Sequence, residues 1–125
     1  MLPSISTAHH PTAEVEWTKV TKNSAGDTLY IDFDNITKKD GYVYYWSLLD
    51  FQKPQPHLSG ITKHLMDCSA FRQRDLTCSF YHEPMGRGFH DFSCLQSQSQ
   101  KWYSHLPYAN AAIEFSHKAV CGPAK

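Results

Sequence analysis

Residues Met66 to Cys94 read MDCSAFRQRDLTCSFYHEPMGRGFHDFSC, and the pattern of this stretch decides the fold. It predicts two strands reversing about Pro84-Met85-Gly86-Arg87-Gly88, where glycine supplies the positive φ angles of a tight turn. Centring the reversal on Gly86 sets Cys78 opposite Cys94, Phe80 opposite Phe92 and His82 opposite His90. All six positions are even-numbered, and strand side chains alternate with period two, so they share one side of the ribbon. The same register that opposes two cysteines also pairs two aromatics, a contact that stabilises sheets.

Four cysteines allow three pairings. The opposed Cys78 and Cys94 favour a disulfide, and with it an oxidising compartment, over the free thiols of a cytosolic protein. Cys68 is then left to bond Cys121, which ties the end of the chain back to the long strand. The rival is a zinc site built from Cys78, Cys94, His82 and His90. Cys78 and His82 stand four residues apart on one strand, roughly 13 Å, yet both would have to reach one ion at about 2.0 to 2.3 Å. The reading is therefore four structural cysteines, no metal and no cofactor.

The 125 residues suffice for one domain with one modest core. Twelve basic residues balance twelve acidic ones, so no global field favours nucleic acid, an anionic membrane or an acidic substrate. Eight histidines would turn the chain net basic below about pH 6.5. No apolar run is long enough to span a bilayer. Residues 1 to 12 read as a disordered tail or the remnant of an export signal, with Ser6 and Ala8 at minus three and minus one of a small-x-small cleavage site before His9. The plainer alternative is a polar tail on an intracellular protein.

Residues 13 to 122 carry the domain, and 123 to 125 form a short tail. Glu14 to Lys22 reads as a first strand, followed by a turn over Asn23 to Asp27. Thr28 to Asp34 alternates, with Leu29, Ile31 and Phe33 on one face and Tyr30, Asp32 and Asp34 on the other. Lys38 to Gly41 makes the next reversal. Tyr42 to Phe51 is apolar on both faces, which predicts a central strand covered on each side. Its tyrosines and Trp46 also suit a stacking platform for bases or sugars, but no basic groove accompanies them and a β core ordinarily contains such residues. Gln52 to Gly60, with Pro54 and Pro56, is a loop. Ile61 to Tyr81 resumes as one long extended run, bent or bulged. On it Arg72 and Arg74 share a face with Cys68, with Asp32 and Asp34 as candidate partners and a solvated face as the alternative. Trp102 and Tyr103 suggest a last short strand, ended by Pro107. Asn110 to Val120 reads as the one helix, with Gly122-Pro123 as its stop. Ile113, His117 and Cys121 fall on one stripe of it, suited to lie on the sheet.

Catalytic signatures are missing. There is no nucleophile elbow or Cys-His pattern beyond what eight histidines give by chance. Gly86-Arg87-Gly88 fits a hairpin turn better than a phosphate loop. Asp32 and Asp34 face the same way, as many exposed strand residues do. No catalytic residue is assigned, and binding residues stay unknown.

The ordered set of features resembles the surface-adhesin protein E family of small exported bacterial domains. It comprises Trp17, Tyr30-Ile31-Asp32 with Ile36, Gly41 through Trp46-Ser47-Leu48-Leu49-Asp50, Asp67-Cys68 with Arg72 and Arg74, Met85-Gly86-Arg87-Gly88, Trp102, Pro107 and Val120-Cys121. The similarity spans about residues 14 to 122. It implies an α+β fold: a single antiparallel sheet of about six strands, with one C-terminal helix held on one face by a Cys68–Cys121 disulfide. It further implies a non-enzymatic adhesin at a bacterial surface, binding host matrix or plasma proteins and able to dimerise. The alternative is a periplasmic or secreted domain that binds a small ligand or a bacterial partner. Two departures stand out: the sequence has no N-terminal lipidation cysteine, and Cys78 and Cys94 are an additional pair.

Overall fold

The structure is a computed structural model that describes residues 15–52, 57–93, 101–104 and 111–122. The predicted N-terminal tail, Cys94, Pro107 and residues 123–125 lie outside the described residues. Eight strands form one antiparallel sheet: β1 (Thr18–Lys22), β2 (Thr28–Ile31), β3 (Thr37–Lys39), β4 (Tyr42–Asp50), β5 (Ser59–Asp67), β6 (Arg72–Tyr81), β7 (His90–Ser93) and β8 (Tyr103–Ser104). Six of them run in the order β1-β2-β4-β5-β6-β7, while the short β3 pairs with β4 and the short β8 with β6. Helix α1 (Ala111–Cys121) follows.

Local chemistry sets the reversals. Asn23 Oδ1 accepts from the amides of Ala25 and Asp27 at 3.0 and 2.9 Å, closing the β1–β2 turn with its own side chain. Lys39 pairs with Tyr42, so Asp40-Gly41 alone joins β3 to β4. Both have positive φ, 56° and 84°, which is the backbone that a two-residue hairpin loop demands and that Asp-Gly tolerates. β4 is central, as its two apolar faces predict, and its odd-numbered side chains face α1. Ile31, Val43, Tyr45, Met66 and Val120 form the buried cluster there, with Val20 and Ile36 packed against it. The Cys68–Cys121 disulfide fastens the last residue of α1 to the turn after β5, with 5.8 Å between the Cα atoms. The stripe read from the sequence is the buried one: Ile113 and His117 are covered. His117 Nε2–H donates to the Cys68 carbonyl at 2.9 Å, and its ring stacks on Phe71 at 4.2 Å.

Four expectations are corrected. The run Ile61 to Tyr81 is not one strand but β5 and β6, folded back at Cys68–Phe71. Asp67 makes that turn: its Oδ1 accepts from the Ala70 amide and the Ser69 hydroxyl, and Phe71 takes a φ of 54°. Thr28 to Asp34 is a strand only to Ile31. Asp32 then caps a 3₁₀ turn, Phe33–Asn35, accepting from the Asp34 amide and from Asn35 Nδ2, which turns Phe33 outward. In the hairpin of β6 and β7, Ser79 faces Ser93 and Phe80 faces Phe92 as expected, but His90 lies opposite Tyr81 rather than His82. A bulge next to Phe80 absorbs one residue and slips the register there. Finally, Arg72 and Arg74 project from the face opposite α1 and its disulfide, because Cys68 belongs to a turn and shares no strand face with them.

Candidate functional site

Helix α1 covers one face of the sheet, and the other carries the polar and aromatic side chains. The antiparallel register arranges that face in transverse rows. Lys39, Tyr42, Asp67 and Arg72 make the first; Thr37, Tyr44, Leu65 and Arg74 the second; Trp46, Lys63 and Thr77 the third; Tyr30, Leu48, Ile61 and Ser79 the fourth. The fourth row is roofed by the 3₁₀ turn Pro84–Gly86. Gly86 donates to Ser59 Oγ at 2.8 Å and Met85 to Asp50 Oδ1 at 2.7 Å, which pins the turn to the sheet. Gly86 lies so close that a Cβ there would stand 2.6 Å from Ile61 Cδ1, and its φ is +69°.

The first three rows carry no such roof among the described residues. They are tiled by aromatic rings and cations. Trp102, on the approach to β8, lies over the guanidinium groups of Arg72 and Arg74 at 4.3 and 5.0 Å, with Tyr42 6.4 Å away. The Lys63 ammonium stands 5.7 Å from the Trp46 ring and 6.0 Å from that of Tyr44. Arg72 Nε donates to Asp67 Oδ2 at 3.1 Å. Burial pushes the Asp67 carboxyl upward, but the bonds from Arg72, Ala70 and Ser69 outweigh it and hold the group below the usual carboxylate range. Arg74 Nε is buried without a hydrogen-bond partner among the described residues. Beside Tyr44, Trp46 and Lys63 the sheet and the segment Asp34–Thr37 enclose a recess of about 490 Å³. A second recess of about 340 Å³ lies by the disulfide, lined in part by Lys38, Val43 and Val120.

A profile of the surface-adhesin protein E family matches residues 17–122. The chain belongs to that family. Haemophilus influenzae protein E has the same fold: one structure of it overlays with a TM-score of 0.64 at 17% identity, covering 100% of this chain and 97% of that one. A second crystal form of protein E gives 0.61 at 16% identity, covering 90% and 94%. No curated protein matches the chain. Family membership makes the chain a surface adhesin by kinship, and no helix among the described residues is long and apolar enough to cross a membrane.

Within this family fold the α1 side of the sheet holds a polar chain that sequence reading missed. Ser47 Oγ–H donates to His64 Nε2 at 2.6 Å, and His64 Nδ1–H donates to Asp75 Oδ1 at 2.7 Å. Tyr103 also donates to Asp75 Oδ1 at 2.6 Å, Gln73 Nε2 donates to Tyr103 at 3.0 Å, and Tyr45 donates to Gln73 Oε1 at 2.6 Å. Every proton points toward one carboxylate. Burial acts to raise the Asp75 pKa, while His64 and Tyr103 lower it more, leaving it below the usual range. Burial drives the Tyr45 and Tyr103 hydroxyls up, so both stay protonated donors. The order Ser-His-Asp is that of a hydrolase triad. Ser47 and His64 are only 6% and 7% exposed, however, and Ser47 sits mid-strand, where β2 and β5 flank β4 on both sides. Backbone N–H groups held in those ladders are not available to an oxyanion. The chain satisfies buried polar groups.

Of the four cysteines, Cys68 and Cys121 are joined; Cys78 is buried and Cys94 is outside the described residues. His82 is exposed at the hairpin end, and no group of three metal-ligating side chains is found among the described residues. The sequence assigned no binding residue. Lys63, Arg72 and Arg74 reach one face because the turn at Cys68–Phe71 sets Asp67 opposite Arg72 and Leu65 opposite Arg74, which aligns odd-numbered residues of β5 with even-numbered ones of β6.

Proposed function

We propose that this domain is exported and acts without catalysis, binding host extracellular-matrix or plasma proteins at a bacterial surface through the open face of its sheet. The carrying observation is the one-sided cover among the described residues: α1 buries one face, while Tyr42, Tyr44, Trp46 and Trp102 are half-buried or exposed on the other among cations. Aromatic and arginine side chains are the residue types that anchor protein interfaces. Kinship with surface adhesins supports the same reading. Immobilised domain should retain matrix or plasma proteins from serum, and Trp46→Ala should weaken that retention about tenfold or more. Lys118→Gln, an exposed change on α1, should leave it intact. Retention that ignores Trp46, or none at all, rejects the assignment.

A second reading, a small ligand or a bacterial partner in the periplasm, is favoured by the recess beside Tyr44 and Trp46. A thermal-shift screen of small ligands that stabilised wild type but not Trp46→Ala would select it.

A further inference from the structure

We propose that the open face binds a linear sulfated polysaccharide, a ligand class beyond the protein partners named above. Lys39, Arg72, Arg74 and Lys63 project from the first three rows, set there by their pairing with Tyr42, Asp67, Leu65 and Trp46. Against them stands Asp67, whose carboxylate is already held by Arg72, Ser69 and Ala70. Asp34 lies at the rim of the recess and directs an anion away from it, onto the line from Lys63 through Arg74 to Arg72. The face thus carries local positive charge although the chain as a whole is neutral.

The arginines are prepared for an oxyanion. Trp102 lies 4.3 and 5.0 Å from the two guanidinium carbons, which holds both groups side by side; Arg72 Nε is taken by Asp67, and Arg74 Nε has no acceptor among the described residues. Guanidinium edges bind sulfate or carboxylate with paired N–H···O bonds. Sugar rings present C–H faces that pack on aromatic rings, and Tyr42, Tyr44, Trp46 and Trp102 supply such rings between the cations.

Two other polyanions fit less well. An acidic peptide lying on this face would leave its own backbone N–H and C=O groups unpaired, since the strands beneath already bond one another. It would dock at a sheet edge instead. Nucleic acid draws on a long-range basic field that a chain with twelve positive and twelve negative residues lacks. A polysaccharide keeps its hydroxyls in water and needs only local cations.

The test uses a heparin octasaccharide and its fully desulfated counterpart, titrated against the whole chain by calorimetry. The sulfated probe should bind, the desulfated one should not, and affinity should fall with added salt. Arg74→Gln and Lys63→Gln should each weaken binding at least tenfold, with Lys118→Gln as the unaffected control. Lys63 is half-exposed, so its variant keeps the test valid if Arg74→Gln disturbs folding. Equal binding of the desulfated probe, insensitivity to both variants, or tighter binding of polyglutamate or single-stranded DNA would overturn the proposal. Loss of heparin binding with retained capture of serum proteins would overturn it while leaving the adhesin reading standing; the reverse result would do the opposite.

Discussion

Asp75 receives protons from His64 and Tyr103 on a single oxygen, and the consequence is a residue-scale dependence on acid. A carboxyl whose folded pKa lies below its unfolded value stabilises the fold wherever both states are ionised, and loses that contribution as pH falls through the folded value. Asp75 and Asp67 are both depressed, so stability should hold above about pH 4 and decline below it. Asp75→Asn should cost about 2 kcal/mol at neutral pH, because a neutral amide oxygen accepts the His64 and Tyr103 protons more weakly than a carboxylate does, and should flatten the acid decline. Urea melts at a series of pH values check both points; an unaltered acid slope in the variant would show that Asp75 is not the responsive group. Gly86 offers a second test. Alanine there would be strained at φ +69° and would press on Ile61, for a loss of about 2 kcal/mol in the same melts.

Among the elements, α1 is the one whose position depends on a covalent bond. Cys68 and Cys121 are 53 residues apart, a closure that chain entropy values at about 4 kcal/mol as an upper figure. Cys121→Ala should therefore lower stability by up to that amount. Amide exchange should rise more in α1 than in the β4–β5 ladder, where a uniform rise would contradict the argument. We further expect Cys78 and Cys94 to be bonded, since the pairs Ser79–Ser93 and Phe80–Phe92 continue to them; non-reducing peptide mapping would show it. How far the sequence disclosed these elements follows from their physics. The apolar pattern of Tyr42 to Phe51 revealed the central strand, and the stripe Ile113, His117, Cys121 revealed the buried side of the helix, because burial writes a period into the chain. The turn at Cys68–Phe71 was hidden because it is made by the Asp67 side chain without glycine or proline, and the cationic face with it, because that turn is what brings Lys63 onto the side of Arg72 and Arg74. The Ser47–His64–Asp75 chain joins three strands, and no local pattern encodes such a meeting.

For the whole molecule, the governing fact is that, among the described residues, one helix serves a sheet of eight strands. The face under α1 holds the Ile31, Val43, Tyr45, Met66 and Val120 cluster, and the opposite face buries Leu48 and Ile61 under the 3₁₀ turn. The disulfide divides the molecule in another way. Residues 69–120, which include β6, β7, β8 and most of α1, lie within a closed covalent ring, while β1 to β5 lie outside it. A protease that cuts the backbone once anywhere in that ring cannot release a fragment. The nicked chain should migrate as one species without reductant and as two with it, so a surface protein built this way keeps its pieces together after attack.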